Sequence, residues 1–223
     1  MKVAILGLAG AGKDTVAKMI HDVTKEKFAI TRFAEPLKRA SLSVFGTQHD
    51  DRDQKNKAVP VTPKLSLDME IAAAGTCQSL TENYIRINDM RNNYLNHFES
   101  LSAVSPRLYQ QLLGTEVIRA VCPDAFVDRV KRLNGNWVVP DCRFENELLD
   151  VNIIVYRPDC EWLDHESEDF TQWLYSWIQE NAYTSDAVGT EIDGKFYHII
   201  QNFGTLEELK QDVITTLHYA NIL

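Results

Sequence analysis

Near its start the chain reads Val3-Ala4-Ile5-Leu6-Gly7-Leu8-Ala9-Gly10-Ala11-Gly12-Lys13-Asp14-Thr15. The apolar residues that open this stretch predict a buried strand. After the glycines, Val16, Ile20 and Val23 recur at helical spacing, so we expect a helix from Asp14 to about Lys25. A strand, a glycine-rich turn and a helix, in that order, form the setting in which such a loop binds phosphate.

The loop between the strand and the helix is suited to hold anionic oxygens. Its glycines permit conformations in which successive N–H groups point inward, and the helix N-terminus adds roughly +0.5 charge. Lys13 supplies a cation for the outer phosphates. Asp14 stands where a serine or threonine usually faces magnesium, and the hydroxyl comes one residue later, at Thr15, so the metal ligand stays open. The alternative is a turn that binds nothing, and the flanking strand and helix argue against it.

The composition is that of an ordinary globular protein. The 223 residues are 44% hydrophobic and 25% charged, enough for one domain with an insertion or a lid. The net charge of −9 argues against nucleic-acid or acidic-membrane partners, which need basic faces. We expect neither a signal peptide nor a spanning helix of about 20 apolar residues. The four cysteines form no C-x-x-C pair, so reduced structural thiols in a cytoplasm are the simplest interpretation.

Charged residues follow two predicted strands at the end where ligands bind in parallel sheets. Glu35 and Lys38 come after a strand predicted from Phe28 to Phe33, and Arg157 comes after one predicted from Val151 to Tyr156. Glu35 and Lys38 have a plainer alternative, a helix-capping carboxylate and a solvated lysine.

A third predicted strand, from Trp137 to Val139, leads to Asp141, Arg143 and Glu147. A carboxylate at such a strand end commonly orients magnesium or its waters in phosphate-loop enzymes. The alternative is a structural salt bridge between the acid and the arginine.

The remaining segments are predicted in less detail. Residues 46–63 read as a solvated loop, 65–100 as an inserted, mainly helical segment, and 159–194 as an acidic, tryptophan-rich lid or extension. A helix begins at Ser105, and Gly114 inside it suggests that something approaches the backbone closely.

A capping box opens the last predicted helix. Thr205 and Glu208 have the spacing of that motif, and the predicted buried stripe of the helix consists of Leu206, Leu209, Val213 and Leu217. Strands that alternate with helices predict an α/β fold with a parallel sheet covered on both faces.

Several stretches give the chain a resemblance to a known family. They are GLAGAGKDT, FAEPLK, SPRLYQQLLGTEVIR, VVPDCRFENE, RPDCEW followed by HESE, and IIQNFGTLEEL. In this order the chain resembles the deoxynucleoside monophosphate kinases of tailed bacteriophages, within the phosphate-loop kinase superfamily. It departs from them at Phe126, where tryptophan is expected, and at Glu35, where aspartate is commoner.

The resemblance implies ATP-dependent, Mg²⁺-dependent phosphorylation of deoxynucleoside monophosphates, which supplies precursors for phage DNA synthesis. The implied catalytic residues are Lys13, Asp141, Arg143 and Arg157. The implied ATP-binding residues are Gly10, Ala11, Gly12, Lys13, Asp14, Thr15 and Asn202. The implied acceptor-binding residues are Glu35, Leu37, Lys38, Arg107, Gln111, Gly114, Thr115, Phe126, Asp141, Arg143 and Glu147. The implied metal ligands are Asp14, Thr15 and Asp141.

The resemblance also implies how the chain is organised. A single phosphate-loop kinase domain, residues 1–223, would have a core of residues 1–45, 105–157 and 195–223. An acceptor-binding insertion at about 46–104 and a lid at about 158–194 would complete it. The family further suggests a homodimer in the cytoplasm of an infected bacterium.

Other functions compete with this one. A dephospho-coenzyme A kinase or a phosphomevalonate kinase would share the loop, but DCRFENE argues against the first and the acceptor motifs weaken the second. A non-catalytic nucleotide-binding protein is less favoured, because Lys13, Asp141 and several arginines are all present. Base preference is not encoded, since it depends on contacts worth roughly 1–3 kcal/mol.

Overall fold

The computed structural model describes residues 1–46, 52–160, 162, 168–181 and 189–223. The strands in these residues are β1 (Lys2–Leu6), β2 (Phe28–Ile30), β3 (Val59–Pro60), β4 (Ala103–Val104), β5 (Asn136–Val139), β6 (Val151–Tyr156), β7 (Gly189–Ile192) and β8 (Lys195–Gln201). The α-helices are α1 (Lys13–Val23), α2 (Glu35–Phe45), α3 (Arg52–Asn56), α4 (Pro63–Leu80), α5 (Tyr84–Phe98), α6 (Pro106–Leu112), α7 (Ala125–Arg132), α8 (Asp169–Glu180) and α9 (Leu206–Tyr219). A π-helical turn, Leu113–Arg119, continues α6, and a 3₁₀ turn spans Glu145–Glu147.

The chain divides into two compact units. The first joins Met1–Arg32 to Leu133–Leu223, and the second is Phe33–Arg132. The second unit is longer than the predicted insertion at 46–104, because α2 packs against α4 and α6 and so belongs with them. The insertion and the lid at 158–194 stay predictions, and parts of both lie outside the described residues.

The first unit is an α/β structure built on a mostly parallel sheet. Within the described residues the strand order is β2-β5-β1-β6-β8-β7, and each neighbouring pair is parallel except β7 with β8. Val3 of β1 pairs with Val138 on one side and Val151 on the other. Helices α1 and α9 pack against each other and against the sheet. The predicted α/β class, with a parallel sheet flanked by helices, is confirmed.

Burial explains why the central strands are continuously apolar. Val3, Ile5, Val138 and Ile154 are all fully buried, as expected for strands that are covered on both faces. Each such side chain stabilises the fold by about 1.5–3 kcal/mol. The connection from β1 leads to the β2 side of the sheet, whereas the chain after β6 continues to β7 and β8 on the other side. Ligands bind at the carboxyl ends of strands where the order reverses in this way, which here is the end of β1.

The second unit is mainly helical, as predicted for residues 65–100. Tyr109 lies at its centre, with its ring edge-on to Phe45 at 5.7 Å and to Phe98 at 5.6 Å. Its hydroxyl donates a hydrogen bond of 3.0 Å to the carbonyl of Met69. The strands β3 and β4 form a short antiparallel pair.

Some local predictions are confirmed and others are wrong. The Thr205–Glu208 capping box is present. The backbone N–H of Thr205 donates to the Glu208 carboxylate, which lowers the pKa of Glu208. The prediction that Leu206 is buried is wrong, since Leu206 is the first residue of α9 and is 68% exposed. The described part of the predicted loop 46–63 contains α3 and β3.

Two further findings concern the cysteines and the expectation that no helix spans a membrane. Every cysteine lies in the described residues and is a buried, unpaired thiol. Among the described residues, none of the helices combines the length and apolar character needed to cross a bilayer.

Candidate phosphate-binding site

The loop between β1 and α1 is closed by its own backbone. The N–H of Ala11 donates to the carbonyl of Leu8 at 3.1 Å, and the N–H of Val16 donates to Gly12 at 2.9 Å where α1 begins. Gly12 has a φ of 101°, and a Cβ there would meet Asn202 Nδ2 at 2.7 Å. A side chain at this position is therefore opposed both by the backbone conformation and by a neighbour.

The first turn of α1 has donors to offer an anion. Gly12 is its N-cap, and this residue has no side chain that could accept a hydrogen bond from that turn. The helix has 11 residues, so its dipole adds positive potential at this end. Together with the loop, this is the arrangement in which phosphate binds at a helix N-terminus.

Lys13 lies against the loop that it follows. Its ammonium donates to the carbonyl of Gly7 and, at 2.8 Å, to that of Leu8. Burial lowers the pKa of Lys13, and the nearby Arg143 guanidinium lowers it further, while Glu168 and Asp14 act in the opposite direction. An anionic phosphate would relieve this loss of hydration, because it offers the ammonium a charged partner.

Two residues distant in sequence brace the loop. The Tyr175 hydroxyl accepts from the N–H of Leu8 at 3.2 Å and donates to the carbonyl of Val155 at 2.6 Å. The side-chain amide of Asn202 donates to the carbonyl of Ala11 at 2.8 Å, and the backbone N–H of Asn202 donates to the carbonyl of Tyr156 at 2.9 Å. Asn202, expected to bind ATP, thus lies at the loop, and its described contact is to the loop backbone.

Arg143 is held from two directions. Its backbone N–H donates to Glu147 Oε2 at 2.8 Å, and its guanidinium Nη1 lies 2.7 Å from Glu168 Oε1. Glu147 is 1% exposed, and its Oε2 also accepts from the N–H of Phe144 at 3.3 Å. The predicted role of Glu147 in fixing Arg143 therefore has a geometric basis in the backbone.

Asp141 and Arg157 lie at the same edge of the sheet as the loop. Asp141 comes two residues after β5 and is partly buried, and Arg157 follows β6 directly and is exposed. Because β5, β1 and β6 are parallel neighbours, their carboxyl ends meet at one edge. The four predicted catalytic residues, Lys13, Asp141, Arg143 and Arg157, thus all lie at this edge of the sheet.

The candidate metal ligands fit a nucleotide-bound Mg²⁺ ion. Asp14, Thr15 and Asp141 offer oxygen atoms only, and Mg²⁺ is usually held by one or two protein oxygens together with phosphates and waters. Asp14 Oδ1 lies 2.6 Å from Arg32 Nη2, with its side chain 74% exposed, so this surface pair is weak. Among the described residues, no group of three or more His, Cys, Asp or Glu side chains is placed to hold a metal ion.

The second unit contains the other candidate acceptor residues. A Cβ at position 114 would lie 2.8 Å from Leu37 Cδ1. Close packing against Leu37 therefore explains why a glycine occupies this position. Glu35 pairs with Arg39 at 3.0 Å. Three others reach solvent, namely Arg107 and Thr115, which are exposed, and Gln111, which is partly buried.

Phe126 and Lys38 differ in accessibility. The Phe126 ring is fully buried, and the Arg119 guanidinium carbon lies 4.8 Å from its centroid. Stacking of a base on Phe126 would require Arg119 to move, and that role stays a prediction. Lys38 is partly exposed, and within the described chain no hydrogen bond or ion pair joins its side chain to another residue.

Sequence reasoning missed three residues of the site. Arg32, Glu168 and Tyr175 contact Asp14, Arg143 and the loop, respectively. Glu168 ends the HESE stretch, which contributes to the family resemblance and does not by itself indicate a contact with Arg143. Neither Arg32 nor Tyr175 belongs to a sequence motif, and tertiary packing brings each of them to its partner.

No family model matches the chain, and no curated protein matches it.

Proposed function

We propose that this protein transfers the terminal phosphoryl group of ATP to a deoxynucleoside monophosphate, giving ADP and a deoxynucleoside diphosphate. The accompanying proposal for the fold is that the first unit is a phosphate-loop kinase core. The observation that carries both is the lysine-bearing loop at the uncapped N-terminus of α1, with Arg143 beside it.

The loop supports the donor half of the reaction. Backbone N–H groups of the loop and of the first turn of α1 would hold the β- and γ-phosphates, and Lys13 would leave its carbonyl partners to meet the γ-phosphate. Bound Mg²⁺, held through Thr15 or Asp14 and Asp141, would neutralise phosphate charge. Tyr175 and Asn202 keep the loop in place before ATP arrives.

Arg143 supports the acceptor half of the reaction. Phosphoryl transfer needs in-line placement of an acceptor oxygen and compensation of charge, with little covalent work by the protein. A phosphate oxygen of the acceptor attacks the γ-phosphorus, and the bond to the β–γ bridging oxygen breaks as ADP leaves. Arg143 would orient the attacking phosphate with its planar fork, and Arg157 would compensate charge on the transferred group. The resemblance also implies that Lys38 and Arg107 bind the acceptor, and substitution of these two residues tests that role.

A coupled ADP-release assay tests the proposal. The acceptors are dAMP, dCMP, dGMP, dTMP, the ribonucleotides, dephospho-coenzyme A and phosphomevalonate, each with ATP and Mg²⁺. We expect ADP formation that depends on at least one deoxynucleoside monophosphate. Activity with dephospho-coenzyme A or phosphomevalonate alone would assign another kinase function, and no ADP with any acceptor would leave a non-catalytic nucleotide-binding protein.

A further inference from the structure

A buried carboxylate lies beside the arginine assigned to the acceptor phosphate. Glu168 Oε1 is 2.7 Å from Arg143 Nη1. The side chain of Glu168 is only 5% exposed, whereas that of Arg143 is 48% exposed. The carboxylate of the pair is therefore shielded from solvent, whereas the guanidinium is accessible to it.

This asymmetry determines what happens when an anion binds. A buried carboxylate without a partner is strongly unfavourable, so Arg143 cannot leave Glu168 for a phosphate without a large penalty. Arg143 meets Glu168 at Nη1, and its side chain is 48% exposed while it does so. The phosphate is thus expected to join the pair at the exposed side of Arg143, and not to replace Glu168.

Glu168 also affects the second cation of the site. The Arg143 guanidinium lowers the pKa of Lys13, after burial, and Glu168 acts on it in the opposite direction. The three groups therefore share one electrostatic neighbourhood. A carboxylate beside two cations reduces their mutual repulsion.

We infer that Glu168 is a positioning residue, which fixes the Arg143 guanidinium in the orientation that a phosphate monoester of the acceptor meets. It acts through Arg143 and does not touch the substrate. The inference rests on the proposed function, since it concerns the acceptor side of that reaction.

The test compares Glu168→Gln with Glu168→Asp and with a control, Glu180→Gln, at the last residue of the helix that Glu168 precedes, where the side chain is exposed. Steady-state kinetics give KM for the deoxynucleoside monophosphate and for ATP. We expect Glu168→Gln to raise the acceptor KM by about 10- to 100-fold, the range for a displaced binding group, with the ATP KM little changed. Glu168→Asp keeps the charge and should recover part of the loss, and Glu180→Gln should match wild type.

Different outcomes separate the possible failures. If Glu168→Gln melts at a lower temperature but keeps the wild-type acceptor KM, Glu168 is merely structural and the inference is wrong. A lower acceptor KM would also overturn it, because Glu168 would then compete with the phosphate. Should Glu168→Gln not fold, Glu168→Asp decides the question by whether its acceptor KM rises. Wild-type protein that forms no ADP with any deoxynucleoside monophosphate would instead refute the proposed function, and this inference with it.

Discussion

Two candidate cations of the first unit, Lys13 and Arg143, are held in place by described contacts, whereas the candidate cations of the second unit, Lys38 and Arg107, are not held in this way. Lys13 donates to loop carbonyls, and Arg143 contacts Glu147 and Glu168. Lys38 and Arg107, in contrast, have no described side-chain hydrogen bond or ion pair. A group that is already positioned loses less entropy on binding, so the same charge contributes more to affinity and rate. Substitutions should therefore cost more in the first unit than in the second.

The largest effect is expected at Lys13. Lys13→Ala should lower kcat/KM for ATP by about 10³-fold, because the outer phosphates lose the only side-chain cation that follows the loop directly. Initial-rate kinetics measure the loss. Lys18→Ala, an exposed lysine of the same helix, is the matched control and should leave the rate unchanged. Full activity of Lys13→Ala would remove the loop from the catalytic site.

The next largest effect is expected at Gly12, and comparison with Gly10 distinguishes a steric clash from backbone strain. Gly12 and Gly10 both have positive φ, at 101° and 83°, but only a Cβ at Gly12 meets a neighbour, Asn202 Nδ2 at 2.7 Å. Gly12→Ala should raise the ATP KM by about 10²-fold, and Gly10→Ala should raise it clearly less. Equal effects of the two substitutions would show that the contact with Asn202 is unimportant.

The third prediction compares the two units directly. Arg143→Ala should raise the acceptor KM by about 10²-fold, with a much smaller change for ATP, while Lys38→Ala and Arg107→Ala should each raise it by about tenfold. Arg143→Lys should not restore the site, because an ammonium lacks the planar fork. If Lys38→Ala or Arg107→Ala matches Arg143→Ala, the difference between the two units has no functional meaning.

The smallest effect is expected at Tyr175. Tyr175→Phe removes the hydroxyl that links Leu8 to Val155 and should lower the free energy of unfolding by about 1–3 kcal/mol. The ATP KM should rise severalfold because the loop is less well held. Urea unfolding and initial rates give the two numbers, and Tyr219→Phe, at a residue that is 66% exposed, serves as control. An unchanged unfolding free energy would mean that the hydroxyl does not brace the loop.

The sequence predicted what depends on local chemistry. Apolar strands, the glycine-rich loop and the Thr205–Glu208 cap are signals within a few residues, and each is confirmed. Arg143 and Asp141 were found because they follow a strand that the pattern identified. The contacts of Tyr175 and Glu168 were not predictable, since Tyr175 lies 167 residues from Leu8 and is brought there by packing. The boundaries of the second unit likewise depend on how α2 and α6 pack.

Calorimetric titration of Mg·ADP tests the central claim most directly, because this product of the proposed reaction would bind the same loop and has no γ-phosphate to transfer. The account predicts one site per chain in wild-type protein and in Lys18→Ala, with binding much weakened in Lys13→Ala. Absence of binding to wild-type protein, or equal binding by Lys13→Ala, would contradict it.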